Sequence, residues 1–304
     1  MISFRYHIVS IVAVFLALAL GVLLGTTVVN QGVIDDLSRR TNNAAKRSEQ
    51  LRSQVAELQS EVTNWDRFGA AVEPLLIAGQ LASRQVVVVT QEGVDAAEVA
   101  GVRKAFQDAG ATVVSVLVVT NRMAVPDDGA RDDLSSALGV TGAGDVADLS
   151  VMAARELGTR LSTGPTSATS DLLQKLVDTG FVVLRGGTGT IDQIGRPEQA
   201  VSVLAGGGRE PILAPATFLA PLIESLVDGA RPVVAAETAQ TVYPFVGLLR
   251  RDGALDQRLV TVDNADTMPG RIAVVLGLRN LLEDPAKGGD FGVKGGASSL
   301  IPQP

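Results

Sequence analysis

Three patterns of hydrophobic and polar residues follow one another along the chain. The first is an uncharged apolar run from Ile8 to Val29, IVSIVAVFLALALGVLLGTTVV. At about 1.5 Å per residue, a helix of this length spans a hydrocarbon core of roughly 30 Å. The run exceeds the apolar part of a cleaved signal peptide, about 7–15 residues, and no clear A-x-A site follows it. It predicts that residues 1–30 form a retained transmembrane signal anchor.

The charges that flank this helix bear on its orientation. Arg5 and the α-amino group precede it, whereas two aspartates and two arginines follow it at 35–40. The positive-inside rule counts only Lys and Arg, so its signal here is mixed. A first helix with a very short N-terminal tail usually inserts with that tail inside. We therefore expect a single-pass cell-membrane protein with a cytoplasmic N-terminus and residues 30–304 outside the cytoplasm.

Small residues recur every four positions within the apolar run. Ala17, Gly21 and Gly25 fall on one face of the predicted helix. Such a small-xxx-small stripe lets two membrane helices approach closely. It indicates helix packing in a homo-oligomer, although Gly and Ala are also common in membrane helices in general.

The second pattern is a heptad repeat, which predicts a coiled-coil stalk over residues 31–69. With Ile34 at position a, the register holds for about four and a half heptads without Pro or Gly. Gly69 and Pro74 are expected to mark where the stalk ends. The apolar a and d positions form its seam: Ile34, Leu37, Leu51, Val55, Leu58, Val62 and Trp65.

The charges beside the seam leave its partner open. In a parallel homodimer, Arg47 at position g would face Arg52 at position e of the partner, a like-charge contact. The seam could therefore meet a second copy or a different coiled-coil protein. The remaining alternative is an amphipathic helix docked on the domain that follows.

The third pattern, over residues 70–284, alternates short β-branched runs with amphipathic stretches. Residues 85–90, QVVVVT, form a continuous apolar run, typical of a strand buried on both faces of a parallel sheet. The alternation predicts a three-layer α/β domain with a mostly parallel sheet. Residues 285–304 are rich in Gly and Pro, which predicts a disordered tail. Further strands are predicted at 112–119, 181–184, 200–204, 232–236 and 259–262, and the clearest helices at 95–110, 172–178, 217–227 and 271–282.

Composition excludes several classes of function. The chain has no cysteine and one histidine, His7, so a cysteine nucleophile, a Ser-His-Asp triad or an ordinary zinc site cannot be built after the membrane segment. A net charge of −7 argues against nucleic acid as a partner. We expect a non-enzymatic protein; an extracytoplasmic hydrolase is the weakest alternative.

A glycine-rich run follows one predicted strand. Gly186–Thr190, GGTGT, could cradle a phosphate with backbone N–H groups. It lacks a Walker lysine, a GxGxxG pattern and a following acidic ribose ligand. A plain turn is the favoured interpretation.

A polar segment, TVDNADTMPGR, separates a predicted strand from a predicted helix. Its Asp263, Asp266 and Arg271 could hold a hard cation or meet the charged group of a partner. The structural alternative is that Asp266 or Thr267 caps the helix, with Pro269 in its first turn and Arg271 paired with a neighbouring carboxylate.

Two stretches resemble a known family. FRYHIVSIVAVFLALALGVLLG at the N-terminus and TVDNADTMPGRIAVVLGL near the C-terminus are similar to the actinobacterial MctB-type copper transporter family. The order of membrane helix, coiled coil and Val/Ala/Gly-rich domain also matches. The resemblance implies copper homeostasis, in which the protein limits intracellular copper as part of an efflux path. Relatives of this architecture also point to a cell-envelope scaffold whose stalk binds a cell-wall or division partner. The matched motif residues are Arg5, His7, Asp263, Asp266, Pro269, Gly270 and Arg271.

The donor atoms for copper are few. Cu(I) prefers Cys and Met, and Cu(II) prefers imidazole nitrogen. His7 is the one histidine, and the four methionines are scattered along the chain. One membrane helix cannot enclose a pore, so His7 would act in a ring formed by several chains. The alternative is that His7 and Tyr6 anchor the helix at the bilayer surface.

Overall fold

The computed structural model describes residues 4–140, 145–166, 171–207, 211–243, 245–253, 255 and 257–303, with the backbone alone at 26–34. The chain divides into two compact units, Met1–Arg67 and Phe68–Pro304. The first is helical throughout its described length, whereas the second contains the sheet.

The first unit consists of most of one long helix, α1, which runs from Phe4 to Ile77. Its first part, Phe4–Gly25, has a mean hydropathy of 2.9. It is the one helix of the described chain that is long and apolar enough to cross a membrane. All its described side chains are exposed in the isolated chain, as expected for a segment that contacts lipid.

The second unit is an α/β domain around a seven-stranded sheet of order β3-β2-β1-β4-β5-β6-β7. All neighbouring strands within the described residues are parallel except β2 and β3, which are antiparallel. The mostly parallel three-layer prediction is therefore confirmed. The strands are β1 (Gln85–Gln91), β2 (Thr112–Val119), β3 (Val182–Arg185), β4 (Gln199–Ala205), β5 (Val233–Glu237), β6 (Val260–Val262) and β7 (Gly289–Phe291).

Helices cover both faces of this sheet because its central strands are apolar on both sides. Val86 and Val88 of β1 belong to one hydrophobic core, and Val87 and Val89 belong to the other. The first core includes side chains of α2, α8 and the end of α1, and the second includes those of α3 to α7. The helices are α2 (Ala96–Asp108), α3 (Asp128–Leu138), α4 (Val146–Thr163), α5 (Leu172–Asp178), α6 (Ala220–Asp228), α7 (Val246–Leu249) and α8 (Met268–Glu283).

The end of α1 differs from the sequence prediction, because neither Gly69 nor Pro74 ends the helix. A Cβ atom at Gly69 would lie 3.2 Å from the side chain of Met268, so glycine permits close packing against the start of α8. Three residues beyond Pro74, Ile77 is fully buried in the core. Tertiary packing thus offsets the cost of proline within the helix.

The C-terminal tail also differs from the prediction. Instead of being disordered from Pro285, the chain forms β7, which pairs in parallel with β6. Beyond β7, the backbone N–H of Gly292 donates to Ser299 O over 3.0 Å. Gly292 supports this ordered structure. Its φ is +132°, and a side chain there would collide with the Asp263 carboxylate.

Candidate functional site

The carboxylate that follows β6 is the centre of a buried ionic cluster. Asp263 is fully buried and accepts hydrogen bonds from the backbone N–H groups of Val293 (2.7 Å) and Lys294 (3.1 Å). Arg250 Nη1 donates to it over 2.7 Å. Asp263 therefore fixes the C-terminal segment to the sheet, and its complete burial closes it to a partner outside the chain.

A second ion pair lies beside this one. Lys294 Nζ donates to Glu237 Oε1 over 2.7 Å and to the backbone carbonyl oxygens of Thr238 and Thr241. Glu237 accepts in addition from the N–H of Val246. We call Glu237, Arg250, Asp263 and Lys294 the C-terminal clasp. This cluster could not be predicted from sequence patterns, because its members are far apart along the chain.

The rest of the polar segment caps α8, as the structural alternative predicts. Thr267 is the N-cap residue, accepting from the N–H of Gly270, and a proline occupies the first turn. Asp266 accepts from the N–H of Ala239 over 2.7 Å. Arg271 forms a two-pronged ion pair with Glu73, with distances of 2.8 and 2.6 Å. These residues connect elements of the second unit to one another.

One carboxylate near this segment is less well compensated. Burial raises the pKa of Glu98, and the nearby negative charges of Asp266 and Asp95 raise it further. Its Oε2 atom is buried and has no hydrogen-bond partner among the described residues. Glu98 is thus a partly buried carboxylate with one oxygen left unpartnered.

The glycine-rich run packs against β2. The N–H of Gly189 donates to Val114 O over 2.9 Å, and a Cβ atom at Gly187 would collide with that same carbonyl oxygen. These glycines are needed for close backbone approach. This geometry supports a turn and gives no indication of a phosphate cradle.

The predicted residues of the first unit are exposed along α1. His7 and Ala17 lie on its surface, and nothing lies within 4 Å of a Cβ atom built at Gly21 or Gly25. The stripe is therefore open to a neighbouring helix, and its role in oligomerisation stays a prediction.

The seam of the stalk is exposed wherever its side chains are described. Leu51, Val55 and Leu58 are 57%, 51% and 59% exposed, and Leu37, Val62 and Trp65 are exposed as well. Ile34 lies outside the described side chains. A coiled coil remains a prediction, because a single chain does not contain its partner.

Comparison with known proteins relates these features to one family. The family described as "Copper transport outer membrane protein, MctB" matches residues 1–302. The chain belongs to the MctB family. Copper transporter MctB of Mycobacterium tuberculosis (strain ATCC 25618 / H37Rv) is 27% identical over 316 residues, which cover 99% of each chain. Copper transporter MctB of Mycobacterium leprae (strain TN) is 28% identical over 323 residues, all of both chains. The resemblance expected from the two end motifs is confirmed.

The MctB family is named for copper transport and not for an enzyme activity, so copper would be its cargo and would need donor atoms in the chain. The described residues contain no group of three or more His, Asp or Glu side chains placed to bind a metal ion. Met123 is fully buried in the core, whereas Met152, which lies on α4, is partly exposed. Among the described residues, the thioether and imidazole donors that copper prefers do not come together at one place.

Proposed function

We propose that the protein is a membrane-anchored component of copper homeostasis that limits intracellular copper. The observation that carries this proposal is the family match over residues 1–302, which includes the apolar helix, the stalk and the α/β domain. In this proposal the N-terminus is cytoplasmic. The α/β domain is then extracytoplasmic, and a role in efflux fits that side.

The cellular copper content tests this role directly. We expect a deletion strain to accumulate more copper than its parent as external copper rises, and the full-length gene to restore the parental content. Mass spectrometry of washed cells measures it, with zinc and iron as controls. Equal copper in the two strains at every external concentration would refute the role in copper homeostasis.

Because one apolar helix cannot enclose a pore, we propose that copper passes between copies of the chain or through a partner. In the first case, His7 of several chains would form a ring at the cytoplasmic end. His7→Ala then lowers copper tolerance to that of the deletion strain, whereas Tyr6→Ala, a change at the neighbouring exposed position, leaves it intact. Unchanged tolerance in His7→Ala would remove the ring.

A second candidate is a cell-envelope scaffold whose coiled coil binds a cell-wall or division partner. The exposed apolar seam favours it, since Leu51 and Leu58 are both more than half exposed. The double change Leu51→Asp and Leu58→Asp should abolish function without altering the melting of the α/β domain. Ser53→Asp with Ser60→Asp, at the outer f positions, is the matched control. Complementation of a deletion by the seam double variant would exclude the scaffold.

A further inference from the structure

A cavity of about 260 Å³ opens near the carboxyl ends of β1 and β2. Its lining includes Gln91 to Val94, which follow β1, together with one face of α2. The strand order reverses between β1 and β4, because β2 and β3 lie on one side of β1 and the later strands lie on the other. In open α/β sheets, ligands bind outside the carboxyl ends of the strands at this point. The cavity lies beside that point, at the carboxyl end of β1 but over β2 and β3 and not β4.

Two arginines give the cavity a positive wall. Arg103 of α2 and Arg185 at the end of β3 both line it. In the described parts of the chain, no carboxylate forms an ion pair with either guanidinium. The Nε atom of Arg103 is buried and has no hydrogen-bond partner. One carboxylate, Glu92, also lines the cavity, but its Oε2 accepts from the N–H of Asn121 over 2.8 Å.

Gln91 lines the cavity at the end of β1, but its side chain points to the other face of the sheet, where it meets Tyr243. Gln91 is only 2% exposed, and its Nε2 donates to the hydroxyl of Tyr243 over 2.6 Å. That hydroxyl donates in turn to Gly206 O, and burial raises the pKa of Tyr243 to about 12, so it keeps its proton at neutral pH. Among the described residues, Gln91 Oε1 has no hydrogen-bond partner, but it is closed to solvent and does not face the open cavity. The contacts of a ligand therefore come from the arginines and the apolar wall.

The rest of the lining is apolar and small, with Val94, Val99, Val116 and Val118. We propose that this cavity binds a small amphipathic anion, with a carboxylate or phosphate group at Arg103 and Arg185 and a short branched apolar body against the valines. The volume lies just under the usual 300–1,000 Å³ of ligand pockets, which excludes a dinucleotide. This inference does not depend on the proposed role in copper homeostasis.

Calorimetric titration of the full-length protein in detergent tests the site. The probes are 2-hydroxy-4-methylpentanoate, isobutyl phosphate, inorganic phosphate and the neutral amide of the first compound. We expect saturable binding of one molecule of the carboxylate or of the phosphate ester per chain. Whichever of these two probes binds more tightly identifies the anionic group that the cavity prefers. Inorganic phosphate and the neutral amide should bind at least roughly tenfold more weakly than that probe.

Three variants assign the binding to this cavity. Arg185→Gln removes one cation from the cavity wall, and Ala100→Leu fills part of the cavity beside α2. Both positions are exposed, so we expect both variants to keep the fold. Each should weaken the better probe about tenfold or more. Arg196→Gln, an exposed arginine outside the lining, should leave affinity unchanged. The proposal is overturned if neither anionic probe saturates, if the amide binds equally well, or if Arg185→Gln and Ala100→Leu bind like the wild type.

Discussion

Replacing Asp263 by Asn changes the C-terminal clasp with almost no change in shape. The carboxylate is fully buried and receives three hydrogen bonds, from Arg250 and from two backbone N–H groups of the C-terminal segment. Asn supplies one acceptor oxygen and places an N–H₂ group where an acceptor is needed. At least one of the three donors is then left facing another donor.

The magnitude follows from the burial of the pair. The side chain of Arg250 is 5% exposed, and after the substitution its nearest carboxylate is that of Asp290, at 3.5 Å. Breaking a buried ion pair costs about 3–5 kcal/mol, and partial compensation by Asp290 favours the lower end, about 3 kcal/mol. For a domain of this size, about 2–4 °C per kcal/mol gives a fall in melting temperature of roughly 6–12 °C.

Scanning calorimetry and hydrogen exchange of the full-length protein in detergent check this prediction. Amides of the segment 289–299 should exchange faster in Asp263→Asn, because two of the bonds that hold this segment are weakened. Asp290→Asn is the control: its side chain is 31% exposed, so it should cost less than about 1 kcal/mol. Wild-type melting and exchange in Asp263→Asn would refute the view that the clasp orders the C-terminus.

Three further changes test the neighbouring contacts. A double-mutant cycle of Glu73→Ala and Arg271→Ala should give a coupling energy of about 1–3 kcal/mol by thermal unfolding, since the pair is two-pronged and largely buried; additivity would contradict it. Because the pKa of Glu98 is raised, its ionised form destabilises the fold as pH rises above its ordinary value of 4.5; Glu98→Gln should raise the melting temperature at pH 7, and the gain should vanish by about pH 4. A gain that persists at low pH would exclude this cause. Gly270→Ala should cost about 3 kcal/mol, because its Cβ atom would overlap the carbonyl oxygen of Asn264, and near-wild-type melting would refute the contact.

The strands of the α/β domain are largely predictable from the sequence, for a physical reason. A strand buried on both faces is apolar at most of its positions, so QVVVVT and TVVSVLVV are distinct from the amphipathic helices around them. The predicted strand at 112–119 coincides with β2, and that at 85–90 falls one residue short of β1. Hydrophobic pattern is local, and these elements depend on little else.

Elements stabilised by distant partners could not be predicted in this way. The strand β7 has the sequence GDF, which carries no strand signal, and it forms because β6 offers an unpaired edge. The helical turns after Gly69 persist for a similar reason, since Glu73 meets Arg271 almost two hundred residues later. Local propensity predicts a tail and a helix end, and tertiary contacts override both.

The same distinction between local pattern and distant contacts applies to the candidate site. The cap at Thr267 and the proline after it follow from a short-range spacing, so the structural alternative was available from the sequence. The partners of Asp263 could not be predicted in the same way, because Arg250 is the C-cap residue of α7 and Val293 lies beyond β7. Gln91 gives no signal at all in the sequence, since its unpartnered oxygen is a property of the folded core.

These contacts bear on how a family named for copper transport could act. In the described α/β domain, the residues of the motif that suggested the family bond to other parts of the same chain, as Asp263 does with Arg250 and Arg271 with Glu73. Such residues preserve the fold and leave no donor set for a metal ion. What remains unsatisfied within one chain is of another kind: an apolar anchor, an exposed seam and a cavity with two unpaired arginines. On our proposals, lipid contacts the anchor, a second protein contacts the seam and a small anion fills the cavity. The proposed role in copper homeostasis therefore has to be sought in assemblies and ligands of this chain, before any search for a copper ion within one subunit.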